Sequence, residues 1–396
     1  MLTFPILAYL VTGAIQAPTE LNVHAMRQID KPSVRAHEPL NTRINIENQG
    51  SALNNLLIEE LLKPGITLLG GQIFQKLFLD KGYGTQLTYR FKAARGEYSW
   101  SGIRVRASDP LGLFDLGRDI SSPGELLVLP AAMDIRSTAL IPRHTLPASG
   151  PIPARLAGTG TDFWGVREYR AGDSFQRLNW RLAARYPGKL FSNEFERQQI
   201  ADYGLILDAR RLTNSFETEA SLFEFSIQAV AALTEILLKE GNRVSMLVLG
   251  KPIISVFPGL GKKQLNSIMR KLSRANQGTF LPFSKLEYFP TRLFPSRSQI
   301  IIFSSLSDGD LPTYARLVAL GYEVLLISPD PVAYEAKKLS KNDLNALAVR
   351  AARAERIVML KRLLKLGVNV VDWQVDQPLA TNLHNTALRL NHRRNA

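Results

Sequence analysis

The sequence predicts a multidomain protein. A short apolar helix suited to a membrane comes first, then a β-sandwich, then an α/β domain on a mainly parallel sheet. Three observations carry this. Met1 to Thr19 holds no charged side chain. From about Leu21 to Pro130, short alternating segments are cut by frequent turn residues. After Ala201, apolar strand-like runs alternate with helical periodicity. The divisions are 1–18 for the helix, 19–135 for the sandwich, 136–200 for a linker and a charged-aromatic segment, and 201–396 for the α/β domain.

The N-terminal stretch Leu2 to Ile15 is mostly apolar and lacks the basic start of a signal peptide. It is shorter than the roughly 20 residues a spanning helix needs. Pro5 sits near its start, where a helix tolerates proline. Arg27, Lys31, Arg35 and Arg43 follow, and basic flanks stay on the cytoplasmic side. The expectation is a membrane anchor holding a cytoplasmic body. The competing reading is a buried N-terminal element of a soluble domain.

In the sandwich region, Thr42–Glu47 and Gly102–Arg106 alternate polar with apolar, and Gln86–Phe91 and Glu125–Leu129 also read as strands. Asn48-Gln-Gly50, Pro64-Gly65, Lys81–Gly84, Arg95-Gly96 and Asp109-Pro110 supply the turns. Pro142 to Pro153 holds four prolines and little pattern, as a linker does. Beyond it, Tyr203–Leu207, Arg243–Leu249, Ile253–Phe257, Gln299–Phe303, Glu323–Ile327 and Val368–Val371 read as strands. Leu222–Lys239, Lys262–Ser273, Thr313–Leu320 and a basic stretch from Asp343 to Leu366 read as helices. Such alternation implies βαβ units around a largely parallel sheet.

Composition narrows the functions. The 396 residues suffice for two or three domains, and 45% are hydrophobic, as in folded proteins. No cysteine is present, which excludes disulfides, cysteine nucleophiles, zinc–cysteine sites and iron–sulfur clusters. The net charge is +14, which favours nucleic acid, anionic lipid or an acidic protein partner. The charge is spread out, with no basic arm of the nucleic-acid type.

Ligand sites of open α/β sheets lie beyond the carboxyl ends of the strands. Here Asp208-Ala-Arg-Arg-Leu212 follows the first strand, with no glycine-rich phosphate turn. Gly259-Leu-Gly-Lys262 is too short for a phosphate loop. An aspartate closing the first strand invites comparison with the von Willebrand factor A fold, whose metal motif is D-x-S-x-S. This chain keeps Asp208 but has Arg210 and Leu212 at the serine positions, and Ser304-Ser305 after Gln299–Phe303. Asp308 and Asp310 come later, on a different loop path. Mg²⁺ wants hard oxygen ligands. Arg210 instead can set its cation beside Asp208 in the charge role of the metal, which makes this a degenerate, metal-free position. No cofactor is expected.

Nor does a catalytic set emerge. His24, His37, His144, His384 and His392 form no zinc motif, and no G-x-S-x-G elbow is present. A hydrolase using Asp173 and Glu196 would lack a paired nucleophile and base.

The most informative stretch runs from Gly158 to Glu196. It mixes Arg, acids, Trp, Tyr and Gly without a clean helix or strand period. On one reading Trp164 and Trp180 anchor a core, while Arg167, Arg177 and Arg185 pair with Glu168, Asp173 and Glu194. On the other it is a recognition face, since Trp, Tyr and Arg dominate interface energetics. Stacking on nucleic acid is disfavoured, because interleaved acids repel phosphate.

Gly158-Thr-Gly160, Arg167–Asp173 (R-E-Y-R-A-G-D), Arg177-Leu-Asn-Trp180, Ala183-Ala-Arg185 and Glu194-Phe-Glu196 resemble the diagnostic core of a bacterial family, domain of unknown function fifty-eight. Arg95–Tyr98, Ser108–Phe114 and Leu363–Trp373 are similar to its flanking motifs. The resemblance implies a membrane-anchored protein with a β-sandwich and a von Willebrand factor A-like domain. It also implies a role beside a MoxR-type AAA+ ATPase in assembling client proteins. Members usually begin with a hairpin of two helices in the bacterial inner membrane, of which only the second is expected here, through either a truncated start or a single sufficient span. The expectation is a non-enzymatic adaptor. Arg167, Glu168, Tyr169, Gly172, Asp173, Arg177, Asn179, Trp180 and Arg185 would be its structural or interaction residues. A basic nucleic-acid-binding protein and a hydrolase are the alternatives.

Overall fold

The structure is a computed structural model. It describes residues 3–135, 146–211, 221–278, 292–340 and 342–383. The chain divides into two compact units, Met1–Ala132 and Met133–Ala396.

The first unit opens with helix α1 (Thr3–Ile15). Nine strands follow: β1 (Val23–Ile29), β2 (Ser33–Arg35), β3 (Leu40–Asn48), β4 (Leu53–Glu59), β5 (Ile66–Gly71), β6 (Phe74–Leu79), β7 (Gly84–Ala93), β8 (Gly96–Ser108) and β9 (Asp115–Leu129). They form one sheet ordered β1-β3-β7-β5 and another ordered β2-β9-β8-β4-β6. Pairing is antiparallel except between β2 and β9. Strict alternation explains the layering: every second residue of β3, from Leu40 to Asn48, is buried. Ile44, Ile46, Leu56, Phe91, Val105 and Val128 meet in a shared core. Arg27 of the edge strand β1 forms a buried ion pair with Glu60, just past the end of β4.

The second unit starts with a long hairpin, β10 (Leu146–Glu168) and β11 (Phe191–Ile200). Between them lie a 3-10 turn at Phe175–Arg177 and helix α2 (Trp180–Arg185). Then come β12 (Asp202–Asp208), α3 (Leu222–Lys239), β13 (Arg243–Leu249), β14 (Ile254–Gly259), α4 (Gly261–Ser273), β15 (Gln299–Phe303), α5 (Leu311–Ala319), β16 (Glu323–Pro329), α6 (Pro331–Ala336), α7 (Asp343–Lys365) and β17 (Asn369–Trp373). The sheet is ordered β14-β13-β12-β15-β16-β17. The interior strand β12 is buried along its whole length, as its unbroken apolar run requires. A side chain at Gly204 would meet the Phe294 ring at 2.3 Å, so only glycine lets that ring pack on the strand. The Ser221 side chain accepts from the Glu224 N–H and starts α3. Tyr314 and Leu317 of α5 and Leu363 of α7 cluster with Ile300, Ile302 and Leu326 over the sheet.

Three expectations need correction. The chain is sheet-rich with mixed and antiparallel sheets, and it is not shown to be a von Willebrand factor A-like domain preceded by a membrane helix. β14 runs antiparallel to β13. Only residues 250–253 join them, enough for a hairpin, whereas a parallel crossover needs a dozen or more. The inner-membrane placement also falls. α1 has 13 residues and spans about 20 Å, against roughly 30 Å of hydrocarbon. No helix among the described residues is long and apolar enough to cross a membrane. Finally, much of the stretch read as a linker is strand: from Leu146 onward it pairs with β11, while 136–145 lies outside the described residues.

Candidate functional site

The β10–β11 hairpin is an arm. Its base, Leu146 opposite Ile200, feeds directly into β12, and its far end is Glu168 opposite Phe191. At about 3.3 Å per residue, the 10 residues of β11 reach roughly 30 Å. Residues 169–190 close the tip, and the motif residues lie there.

Arg167 organises the tip. Its Nη2 and Nη1 donate to the two carboxylate oxygens of Asp173 at 2.7 and 2.8 Å. Its Nε donates to Glu194 at 2.7 Å, and Nη1 also donates to the Glu168 carbonyl at 2.9 Å. This forked geometry suits arginine alone. Asp173 also accepts from the Arg170 N–H at 2.9 Å. The turn over Arg170–Asp173 is closed by the Asp173 N–H to the Arg170 carbonyl, with Gly172 at φ +105°. That backbone conformation strains any side-chain-bearing residue. Glu168 pairs with Lys189 at 2.9 Å, not with an arginine.

The next motif is equally ordered. Arg177 ends the 3-10 turn, half-buried, and Leu178 is 5% exposed. Asn179 caps α2 by accepting from the Leu182 N–H, and it donates to Asn193 at 2.8 Å. Tyr169 stacks on Phe175 at 6.2 Å. Trp180, a core anchor on only one of the two readings of the sequence, is 66% exposed, and Phe175 at 72% and Tyr186 at 56% are exposed too. The buried position of that motif belongs to Leu178. Arg170, Arg181 and Arg185 are exposed too. The side chains of Trp164 and Glu196, with Leu212, His144, His384 and His392, lie outside the described residues.

Hydrogen bonds from Arg167, then from the Arg170 N–H, hold the Asp173 carboxyl below its ordinary pKa. Lys189 does the same for Glu168. A carboxylate with a lowered native pKa stabilises structure above its unfolded pKa and loses that contribution as pH falls through the native value. The tip is therefore expected to stay ordered down through the ordinary carboxylate range and to open in stronger acid. Asp173→Asn should make residues 169–190 more sensitive to limited proteolysis at neutral pH and remove most of that acid transition. An unchanged cleavage pattern would disprove the role given to Asp173.

The strand ends of the sheet carry two arginine knots. Arg210 Nε and Nη2 donate to Asp208 at 2.8 and 2.7 Å, and Nη1 and Nη2 donate to Asp310 at 2.9 and 2.8 Å. Ser304 donates to Asp208 at 2.7 Å, and the Leu306 N–H donates to Ser304. Burial disfavours the Arg210 cation, but hydrogen bonds to Asp208 and Asp310 outweigh it, and its pKa is raised. The donor set does not fit a divalent cation, because one guanidinium already engages both carboxylates. Asp310 gives itself away in sequence only as the end of the capping box Ser307–Asp310.

The second knot was not read from the sequence. Arg356 of α7 pairs with Asp372 at 2.6 Å and Asp330 at 3.4 Å, and donates to Ser328 and to the Ser305 carbonyl. The Ser304-Ser305 loop thus touches both knots. Asp330-Pro331 was the available signal, an N-cap aspartate before a proline at the first helical position. Among the described residues no group of three or more His, Asp or Glu is arranged to hold a metal. Upstream, Asp109 accepts from the Leu111, Leu113 and Phe114 N–H groups, and Tyr98 donates to the Ala94 carbonyl, so those motifs shape turns.

Comparison with known proteins places residues 165–332 within the model of the family described as "Protein of unknown function DUF58". A curated relative, "Uncharacterized protein YeaD" of Bacillus subtilis (strain 168), is 26% identical over 271 residues, covering 66% of this chain. The chain spans 64% of the length of that relative. Among solved structures, the Vibrio cholerae VesB protease superposes with a TM-score of 0.18 at 12% identity, over 30% of this chain and 34% of that one. The β-glucosidase EmGH1 of Erythrobacter marinus gives 0.13 at 15% identity, over 25% and 15%. Neither superposition bears on function.

Proposed function

We propose that this chain is a non-enzymatic adaptor that contacts its partner through the tip of the β10–β11 arm. The observation that carries the reading is the sorting of charge at the tip. Asp173 and Glu194 are held by Arg167, and Glu168 by Lys189. Phe175, Trp180 and Tyr186 face outward, alongside exposed Arg170, Arg181 and Arg185. Aromatic and arginine side chains on a rigid loop are what interface hot spots are made of. The family resemblance supplies the partner class, a MoxR-type AAA+ ATPase, which would also supply ATP hydrolysis. A hydrolytic role for Asp173 is not supported, since both its carboxylate oxygens are engaged by Arg167.

The test is binding of the full chain to a purified MoxR-type ATPase by surface plasmon resonance. Trp180→Ala with Arg181→Glu leaves the inner hydrogen bonds of the tip alone. It should weaken binding by about 2 kcal/mol or more, the size of a hot-spot loss. Undiminished binding, or none by the unaltered chain, would end this reading. The tied acids also favour a second reading, single-stranded nucleic acid stacked on the exposed aromatics. That reading requires affinity falling steeply with salt.

A further inference from the structure

Helix α7 has two apolar faces. One packs on its own unit through Arg356, Leu360 and Leu363, all buried. On the opposite side, Leu344, Leu347, Ala351, Ala354 and Val358 are exposed, with Leu344 at 76%, Leu347 at 62% and Val358 at 48%. At 100° per residue the two sets point nearly half a turn apart. The outward set is spaced three, four, three, four, the repeat of a coiled-coil seam. Lys361, next in the series, ends it. The stripe is thus about 21 Å long.

We infer that this outward face of α7 is a self-association surface that takes a second copy of this chain, with the two helices parallel and in register. The charges beside the seam select that occupant. With Leu344 and Leu347 as core layers, Arg350 and Glu355 hold the flanking positions five residues apart, and in a parallel pair those positions face each other across the seam. Two-fold symmetry makes the pair twice. Among the described residues, neither Arg350 nor Glu355 takes a partner within its own chain. An antiparallel pairing that layers the stripe on itself centres on Ala351 and brings Arg350 against its own copy, a like-charge contact. Ala351 and Ala354 let the backbones approach closely. The domain already holds α7 through Arg356, Leu360 and Leu363, so little ordering cost remains for association.

Sedimentation velocity of the full chain over a concentration series tests this. The unaltered protein should form a concentration-dependent dimer, and Leu347→Asp, an exposed change, should leave a folded monomer by circular dichroism. Arg350→Glu or Glu355→Arg alone should weaken the dimer about tenfold, since two symmetry-related pairs are lost together, and the double swap should restore it. The chain has no cysteine, so Leu344→Cys reports geometry directly: mild oxidation should link it to its own copy. A monomer at every concentration, a dimer untouched by Leu347→Asp, or cross-linking of Leu344→Cys only to Val358→Cys would each overturn the proposal.

Discussion

Arg210→Ala should destabilise the C-terminal unit by about 3–5 kcal/mol, the cost of removing one partner from a buried ionic group. The side chains involved are nearly inaccessible, at 7% for Arg210, 0% for Asp208 and 4% for Asp310. Removing the guanidinium leaves two buried carboxylates facing each other without a counter-charge. It also cuts a side-chain bridge between the end of β12 and the turn before α5. Native stabilities run to roughly 5–15 kcal/mol, so a loss of this size takes much of the margin. Urea unfolding followed by circular dichroism measures it. Restoring neutrality with Asp208→Asn and Asp310→Asn beside Arg210→Met should recover a large part of the loss, because the penalty belongs to uncompensated charge. A cost below about 1 kcal/mol for Arg210→Ala would mean that the knot is wetter or looser than its geometry states. The arm should be spared, since Arg167 and its partners share no residue with this knot.

The parts of this chain legible in sequence are those where one physical signal dominates. Tyr203–Leu207 reads as a buried strand because nothing in it tolerates water, and α3 reads as a helix because its apolar residues recur at helical spacing. Direction is another matter. Ile254–Gly259 has the same side-chain period whichever way it runs, and the deciding datum was the brevity of residues 250–253. The arm was partly hidden by its own irregularity. Its register shifts at four places, between Pro147 and Ile152, Pro153 and Ala157, Gly158 and Phe163, and Phe163 and Gly165, and each shift breaks the two-residue alternation. The sequence leaves Trp180 open between core and surface, because its size and apolarity argue burial while its arginine neighbours argue a contact face. What sends it outward is the cap at Asn179 and the burial of Leu178, which fix the direction of α2. Asp208 with Arg210 was within reach, being two residues apart on one strand end. Arg356 with Asp330 was not, since only the fold brings residues that distant together.

The sandwich carries an effect of the same size in a different setting. Arg27 and Glu60 meet at 2.7 Å with both side chains fully buried. Arg27 also lies 5.2 Å from the Trp100 ring centre and donates to the Tyr89 hydroxyl at 3.2 Å. Arg27→Met or Glu60→Leu alone should cost about 3–5 kcal/mol, while the double replacement should be neutral or stabilising by up to about 4 kcal/mol. The direction of the Glu60 pKa supports this: desolvation raises it despite the hydrogen bonds and charge of Arg27. The same desolvation, helped by the Glu60 charge, pushes the Tyr89 hydroxyl to about 12 and keeps it protonated. A carboxyl with a raised native pKa contributes most below its unfolded pKa, and that contribution is lost as pH rises through the native value. The stability difference between the unaltered chain and Glu60→Gln should therefore shift in favour of the unaltered chain as pH falls from neutral into the ordinary glutamate range. Thermal unfolding at a series of pH values reads both effects. Additive single and double changes would show that Arg27 and Glu60 do not depend on each other, and the sandwich would then owe its stability to Ile44, Phe91 and their neighbours alone.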